Sequence, residues 1–379
     1  MRQARESVAL ALCAFLKQGD IFVLRILIPM LVLLLIAAPA IACTDFVLQA
    51  KDGAIINGRS MDFAVNDQAQ VTVYPQGKEW TSEAPGKAKR FQWTQRYGFL
   101  GFSVLGQSVS TDGMNEKGLS AKVLWLPSVG YQTVPKGQEE RALDIGLVPD
   151  WILGSFSTVA EVKKALPEVI VWGKSLPGLD SVPVLHLAVH DADGNSMVAE
   201  WIDGKLNIYD NPLGVMTNEP PLPMQWANLR NYVNLSPWMQ KDLQLDGVAI
   251  AGTGNGSGLL GLPGDCTPPS RFVRTAVLKK FAYQPEKAED AVIFARHLLN
   301  QVDVMPGVSR EKSQQGEMAD YTQWIAIEDL TNRVLYFADY NDQTLRSIDL
   351  KALDFTRSDY APIPVAKTTG NAILDVTPR

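Results

Sequence analysis

Asp52-Gly53 separates two runs of β-forming residues, Thr44–Ala50 and Ile55–Asp62, and so constrains how the folded part of the chain can begin. The dipeptide favours a two-residue turn of type I′, because both turn positions need positive φ. With Asp52 and Gly53 as the turn, Lys51 pairs with Ala54, and paired residue numbers sum to 105 along the ladder. Cys43 then faces Asp62, with facing Cβ atoms about 5 Å apart. Arg59 pairs with Phe46, on the face away from Cys43. Reaching Cys43 would take a bulge, for which Gly58 is the natural place. The other reading of Arg59 and Asp62 is an ordinary surface pair.

What precedes this hairpin gives Cys43 its chemical interest. Ile21–Leu24 and Ile26–Ala42 form one apolar run, broken only by Arg25, with Arg2, Arg5 and Lys17 upstream. The run ends Ala40-Ile41-Ala42, a small-x-small cleavage pattern, so residues 1–42 read as a signal peptide and residues 43–379 as a single exported domain. The same run is long enough to be read as a membrane anchor. Cleavage after Ala42 leaves Cys43 with a thiol and an α-amine on one residue. The amine has an ordinary pKa of about 8 and can take the thiol proton without a histidine. A carboxylate at Asp62 would hold that amine. The rival is a lipid-anchored binding lipoprotein, in which lipidation consumes the Cys43 thiol. A lipobox favours Leu where Ala40 stands.

Composition excludes several other classes. The chain has 379 residues, 46% hydrophobic and 20% charged, which is globular. A net charge of −6 without any Lys/Arg-rich block argues against a nucleic-acid partner. The three histidines, His186, His190 and His297, form no HExxH, and the three cysteines, Cys13, Cys43 and Cys266, form no CxxC. No metal site or cofactor is therefore expected.

Val182–Val189, Ser196–Ile202 and Lys205–Tyr209 alternate around Asp191–Asn195 and Asp203-Gly204, an antiparallel meander. Thr158-Val159-Ala160-Glu161 opens a helix with a capping box. Glu286–Val302 carries apolar residues at helical spacing. Trp324–Glu328 and Arg333–Tyr340 form a late hairpin. Strands and helices in separate blocks indicate an α+β fold.

Taken together, these segments resemble the choloylglycine hydrolase family, which includes bile salt hydrolases and penicillin V acylases. The resemblance starts at Cys43-Thr44-Asp45-Phe46 and Asn57-Gly58-Arg59-Ser60-Met61-Asp62-Phe63. It continues through Asp112-Gly113-Met114-Asn115-Glu116, the Leu185–Gly194 and Glu200–Lys205 segments, Met216-Thr217-Asn218-Glu219-Pro220, Gly261–Asp265 and Ser270-Arg271-Phe272-Val273-Arg274. It implies a four-layer αββα sandwich of the N-terminal-nucleophile type and a homotetramer. It also implies hydrolysis of a small-molecule N-acyl amide in the periplasm or outside the cell, with no stable membrane anchor after processing. Residue by residue, Cys43 matches the nucleophile, Arg59 and Asp62 the groups around its amine and thiol, Asn218 an oxyanion-hole side chain and Arg271 a support of the charged transition state.

One position departs from the bile salt hydrolases. Leu124-Trp125-Leu126-Pro127 stands where many of them carry an Asn in the site. The resemblance is accordingly nearer the exported Gram-negative branch, penicillin V acylases and acyl-homoserine-lactone acylases, with conjugated bile salt hydrolysis as the alternative. Trp125 is either an aromatic wall for the acyl group or plain core filling. Cys266 is either a small buried hydrophobe or a partner able to oxidise with Cys43. A papain-like thiol hydrolase would need one of the three histidines beside a cysteine.

Overall fold

The computed structural model describes residues 43–86, 90–175, 181–313 and 316–366. The proposed signal peptide lies outside them. Residues 43–310 and 318–366 belong to one compact unit, while Glu311–Glu317 falls in a second, small one and is strand at Glu311–Ser313 and Gly316–Glu317. The fold is the expected α+β sandwich. One antiparallel sheet runs in the order Val215–Met216, Thr44–Gln49, Ile55–Phe63, Gly316–Asp329, Val334–Asp339 and Arg346–Asp349. The second runs Lys205–Asp210, Ser196–Ile202, Leu185–His190, Ser120–Trp125, Ser110–Asn115, Phe99–Ser103, Gln70–Tyr74 and Ile363–Pro364.

The apolar pattern explains the layering. In Leu185–His190, Ala188 enters the core between the sheets, while Leu187 and Val189 enter a second core on the outer face. A strand buried on both faces reads as a nearly continuous apolar run. Phe102 and Trp324, one from each sheet, stack with ring centroids 4.4 Å apart in the inner core. Helices Pro268–Phe281 and Ala288–Asn300 cover the outside of the first sheet, and Val148–Ser155 covers the second. Helix, sheet, sheet, helix is the four-layer order.

The hairpin that carries Cys43 differs from the expected one. Ala50 N–H bonds Ala54 O at 2.9 Å and Gly53 N–H bonds Ala50 O at 3.1 Å, so the loop is Lys51-Asp52-Gly53 and has three residues. Only Gly53 has positive φ there, +93°. Paired numbers therefore sum to 104: Thr44 faces Ser60, and Asp45 faces Arg59. Tertiary contacts explain the shift. Lys51 and Asp52 give their N–H groups to Pro285 and Glu286, and the Asp52 carboxylate accepts from Ala54 and Ala288, capping the helix Ala288–Asn300. Gly58 sits in unbroken ladder, not in a bulge. A Cβ there would come within 2.5 Å of the Phe46 ring facing it.

Candidate active site

A one-residue change of register moves every side chain of a strand to the other face. In the observed register Arg59 lies on the face of Cys43, and Met61 is the residue across from Cys43. The Cys43 Sγ stands 3.9 Å from Met61 Sδ and 4.0 Å from Arg59 Nη2. The bulge once needed to bring Arg59 to Cys43 is unnecessary. Asp62, expected to face Cys43 directly, instead turns its carboxylate to Thr322 Oγ1 at 2.5 Å and Ser60 Oγ at 3.1 Å. Its main-chain oxygen is 3.8 Å from the Cys43 sulfur.

Asn218 and Arg271 come from far along the chain and meet at Cys43. Strand Val215–Met216 pairs with the open edge of Thr44–Gln49 and brings Asn218 to its end. The Asn218 Oδ1 accepts the Cys43 N–H at 2.8 Å, and its Nδ2 donates to Trp125 O at 2.8 Å. Arg271 lies in the first turn of Pro268–Phe281. It donates to Cys43 O at 2.5 Å, to Thr44 Oγ1 at 2.6 Å, to Asn218 Oδ1 at 2.8 Å and to Cys266 O at 2.9 Å.

Burial governs the electrostatics. With residue 42 attached, burial pushes the Cys43 thiol up to about 11, against the opposing pull of Arg59 and Arg271. Burial likewise pushes the Asp62 carboxyl up to about 7, while Arg271, Thr322 and Ser60 pull it down. The thiol is thus a poor nucleophile until a base or a further positive charge is added beside it.

Cys43, Arg59 and Met61 line a cavity of about 90 Å³ together with Phe63, Val104, Val123, Trp125 and Leu185, among others. Trp125 therefore lines the space next to the sulfur, and its side chain is buried with the indole N–H unpartnered. Two of the three histidines are engaged with other groups. His186 bonds Glu200 and Thr217 O, and His190 bonds Asp45. Cys43 and Cys266 are both free. Among the described residues no group of three or more His, Cys, Asp or Glu is placed to hold a metal ion, and no helix is long and apolar enough to cross a membrane.

Three members of this environment were not picked out from the sequence. Met61 becomes visible only once the register is known. Thr322 lies 260 residues from Asp62. Asp112 pairs with Arg59, Oδ2 to Nε 3.3 Å, and its only local signal was its place at the head of the Asp112-Gly113-Met114-Asn115 segment.

Comparison with known proteins bears on family and fold. The family described as linear amide C–N hydrolases, choloylglycine hydrolase family, matches residues 43–362. A bile salt hydrolase/transferase of Clostridium perfringens is 32% identical over 81% of this chain and 92% of its own. A crystal structure of the conjugated bile acid hydrolase of that organism superposes with a TM-score of 0.74 at 28% identity, covering 88% of this chain and 100% of the other. The structure of penicillin V acylase from Agrobacterium tumefaciens gives 0.68 at 26% identity, covering 84% and 90%.

Proposed function

This chain belongs to the choloylglycine hydrolase family of linear amide C–N hydrolases, and on that premise we propose that Cys43 is its nucleophile once cleavage after Ala42 frees the amine. The carrying observation is the convergence of Asn218, Arg59 and Arg271 on Cys43, which lines a small apolar cavity.

In the mature chain the Asn218 Oδ1 that now accepts the amide N–H would accept from the amine, turning its lone pair toward the thiol. The amine takes the thiol proton, and the sulfur attacks the amide carbonyl. The second Nδ2 hydrogen of Asn218 is available to the oxyanion; a donor in that role commonly contributes about 3 kcal/mol of barrier lowering. The amine then gives its proton to the leaving amine, which departs and leaves a thioester. Water, deprotonated by the same amine, releases the acid and restores the thiol. Arg59 favours the thiolate, and Arg271 fixes the Cys43 main chain. Asp62, buried close by, adds negative charge to the pocket that receives the ammonium form.

The acyl group we assign is compact and apolar, aromatic or aliphatic, as in penicillin V acylases and acyl-homoserine-lactone acylases. The cavity is small, and Trp125 forms part of its wall. Hydrolysis of a phenoxyacetyl amide, an acyl-homoserine lactone and a conjugated bile salt, side by side with mature protein, tests this. Either of the first two should have the highest kcat/KM; a preference for the bile salt overturns the acyl assignment. Amidase activity in Cys43→Ala overturns the nucleophile.

Export to the periplasm or beyond is supported by the apolar run and its Ala-Ile-Ala end. In that reading residues 43–379 act as one domain without a membrane anchor. Self-assembly into a homotetramer is supported by a hairpin, Leu243–Leu245 with Val248–Ile250, which among the described residues pairs with no other strand. Leu243, Leu245, Val248 and Ile250 are exposed there, with Val233 and Trp238 nearby in sequence at 83% and 77%. Exposed apolar surface of this kind is characteristic of an interface. Light scattering should give four chains; a monomer contradicts it.

A further inference from the structure

A buried string of charged side chains leads away from Arg59, and the mechanism above does not use it. Asp112, in the strand Ser110–Asn115, is fully buried. One of its oxygens is 3.3 Å from Arg59 Nε and the other 3.1 Å from Lys122 Nζ. Lys122 is also 2.9 Å from Glu328 and 3.9 Å from Asp45, and it donates to Asn57. Asp45 in turn bonds His190 at 2.8 Å.

The guanidinium of Arg59 is held on several sides. Asp112 takes the Nε edge, Val123 O accepts from Nη2 at 3.1 Å, and the Trp324 ring lies 5.0 Å from its central carbon. Nη1 has no partner. Among the described residues, Asp112 is the one carboxylate in ion-pair contact with Arg59. Asp67, also on the cavity wall, is a second carboxyl group near Arg59: burial pushes its pKa up and the Arg59 charge pulls it down. In a low-dielectric interior a guanidinium that loses its counter-ion moves toward another or recruits water.

We infer that Asp112 is a positioning residue for the hydrolysis: it holds Arg59 with Nη2 directed at the Cys43 sulfur, and its loss lets Arg59 turn away toward Asp67. The inference rests on Cys43 being the nucleophile. Lys122 faces the second Asp112 oxygen, so the carboxylate lies between two cations. The other charges facing the sulfur, Asp62 and Arg271, are anchored separately, by Thr322 and Ser60 and by the Cys43 carbonyl.

The test is the rate of Cys43 alkylation by iodoacetamide against pH, in mature protein carrying Cys266→Ser so that one thiol is read. The thiol and amine titrate as a pair, so the whole profile is compared. Asp112→Asn should move the midpoint upward by about one pH unit. Its kcat should fall about 10- to 100-fold with KM nearly unchanged, as for a group acting on the transition state. A profile superimposable on the parent's overturns the inference, even if the melting temperature falls, because that is the outcome of a purely structural role. If Asp112→Asn does not fold, Asp112→Glu keeps the charge and displaces the carboxylate; a shifted profile supports the inference and an unshifted one overturns it. Activity in Cys43→Ala would instead refute the premise, so the two failures are distinguishable.

Discussion

Arg271 donates a hydrogen bond to the main-chain carbonyl of Cys43 from 228 residues away. The same guanidinium also reaches Thr44 Oγ1 and Asn218 Oδ1, so a single side chain ties together three parts of the site.

That relationship predicts the effect of a conservative exchange. A lysine ammonium is a point donor and cannot span the acceptors that the planar fork bridges. Arg271→Lys should therefore lower kcat by about 100-fold, the scale of losing one preorganised transition-state contact, with a smaller change in KM. Steady-state kinetics on the mature enzyme checks this, and a kcat near that of the parent contradicts it.

Asp62 carries a stability prediction with a definite sign. In the chain that retains Ala42, burial raises its pKa from 3.8 to about 7. Below the unfolded value the carboxyl is neutral in both states, and the stability it allows is fully present. As pH rises through about 7 the unfolded chain has already released this proton, so stability is lost. Asp62→Asn removes this dependence. Denaturant unfolding of both forms between pH 4 and pH 8 should show the variant gaining on the parent as pH rises, by at most about 4 kcal/mol. A difference independent of pH contradicts the assignment. Asp150 and Glu328, also raised to about 7, act in the same direction but are common to both forms.

Trp125 separates main-chain from side-chain roles. Its carbonyl holds Asn218, while its ring lines the cavity. Trp125→Ala leaves the carbonyl in place and enlarges the pocket. kcat/KM for a phenoxyacetyl amide should fall 10- to 100-fold, about 1–3 kcal/mol of discrimination, chiefly through KM, and bulkier acyl groups should lose less. An equal loss across acyl groups would count against the wall.

Asp52 is predicted to matter for stability alone. Its carboxylate accepts from Ala54 N and from Ala288 N at the start of the helix Ala288–Asn300. Asp52→Ala should cost about 1 kcal/mol, the usual loss of a helix cap, and leave kcat within twofold. Thermal melting and the amide assay together check it.

How far the sequence led depended on the range of the interaction. Asp203-Gly204 joins Ile202 to Lys205 with both φ positive, as the local rule requires. Asp52-Gly53 has the same dipeptide and a different turn, because the Asp52 carboxylate and the N–H groups of Lys51 and Asp52 serve a segment more than 230 residues away. No local pattern carries that demand, so the register was read one residue out and Arg59 was assigned to the wrong face. Cys43 is singled out in the sequence by its position after the apolar run. Asn218 and Arg271 were visible only through family resemblance. Asp112 gave no sign of its partner, since Arg59 faces it from the other sheet.

The central claim is that the working enzyme begins at Cys43 with a free thiol and a free amine. Intact mass and amino-terminal sequencing of active protein, recovered after export from a bacterial host, test it most directly. The account predicts a sequence starting Cys-Thr-Asp-Phe and a mass without adduct. An active chain that starts elsewhere, or carries lipid on Cys43, contradicts it.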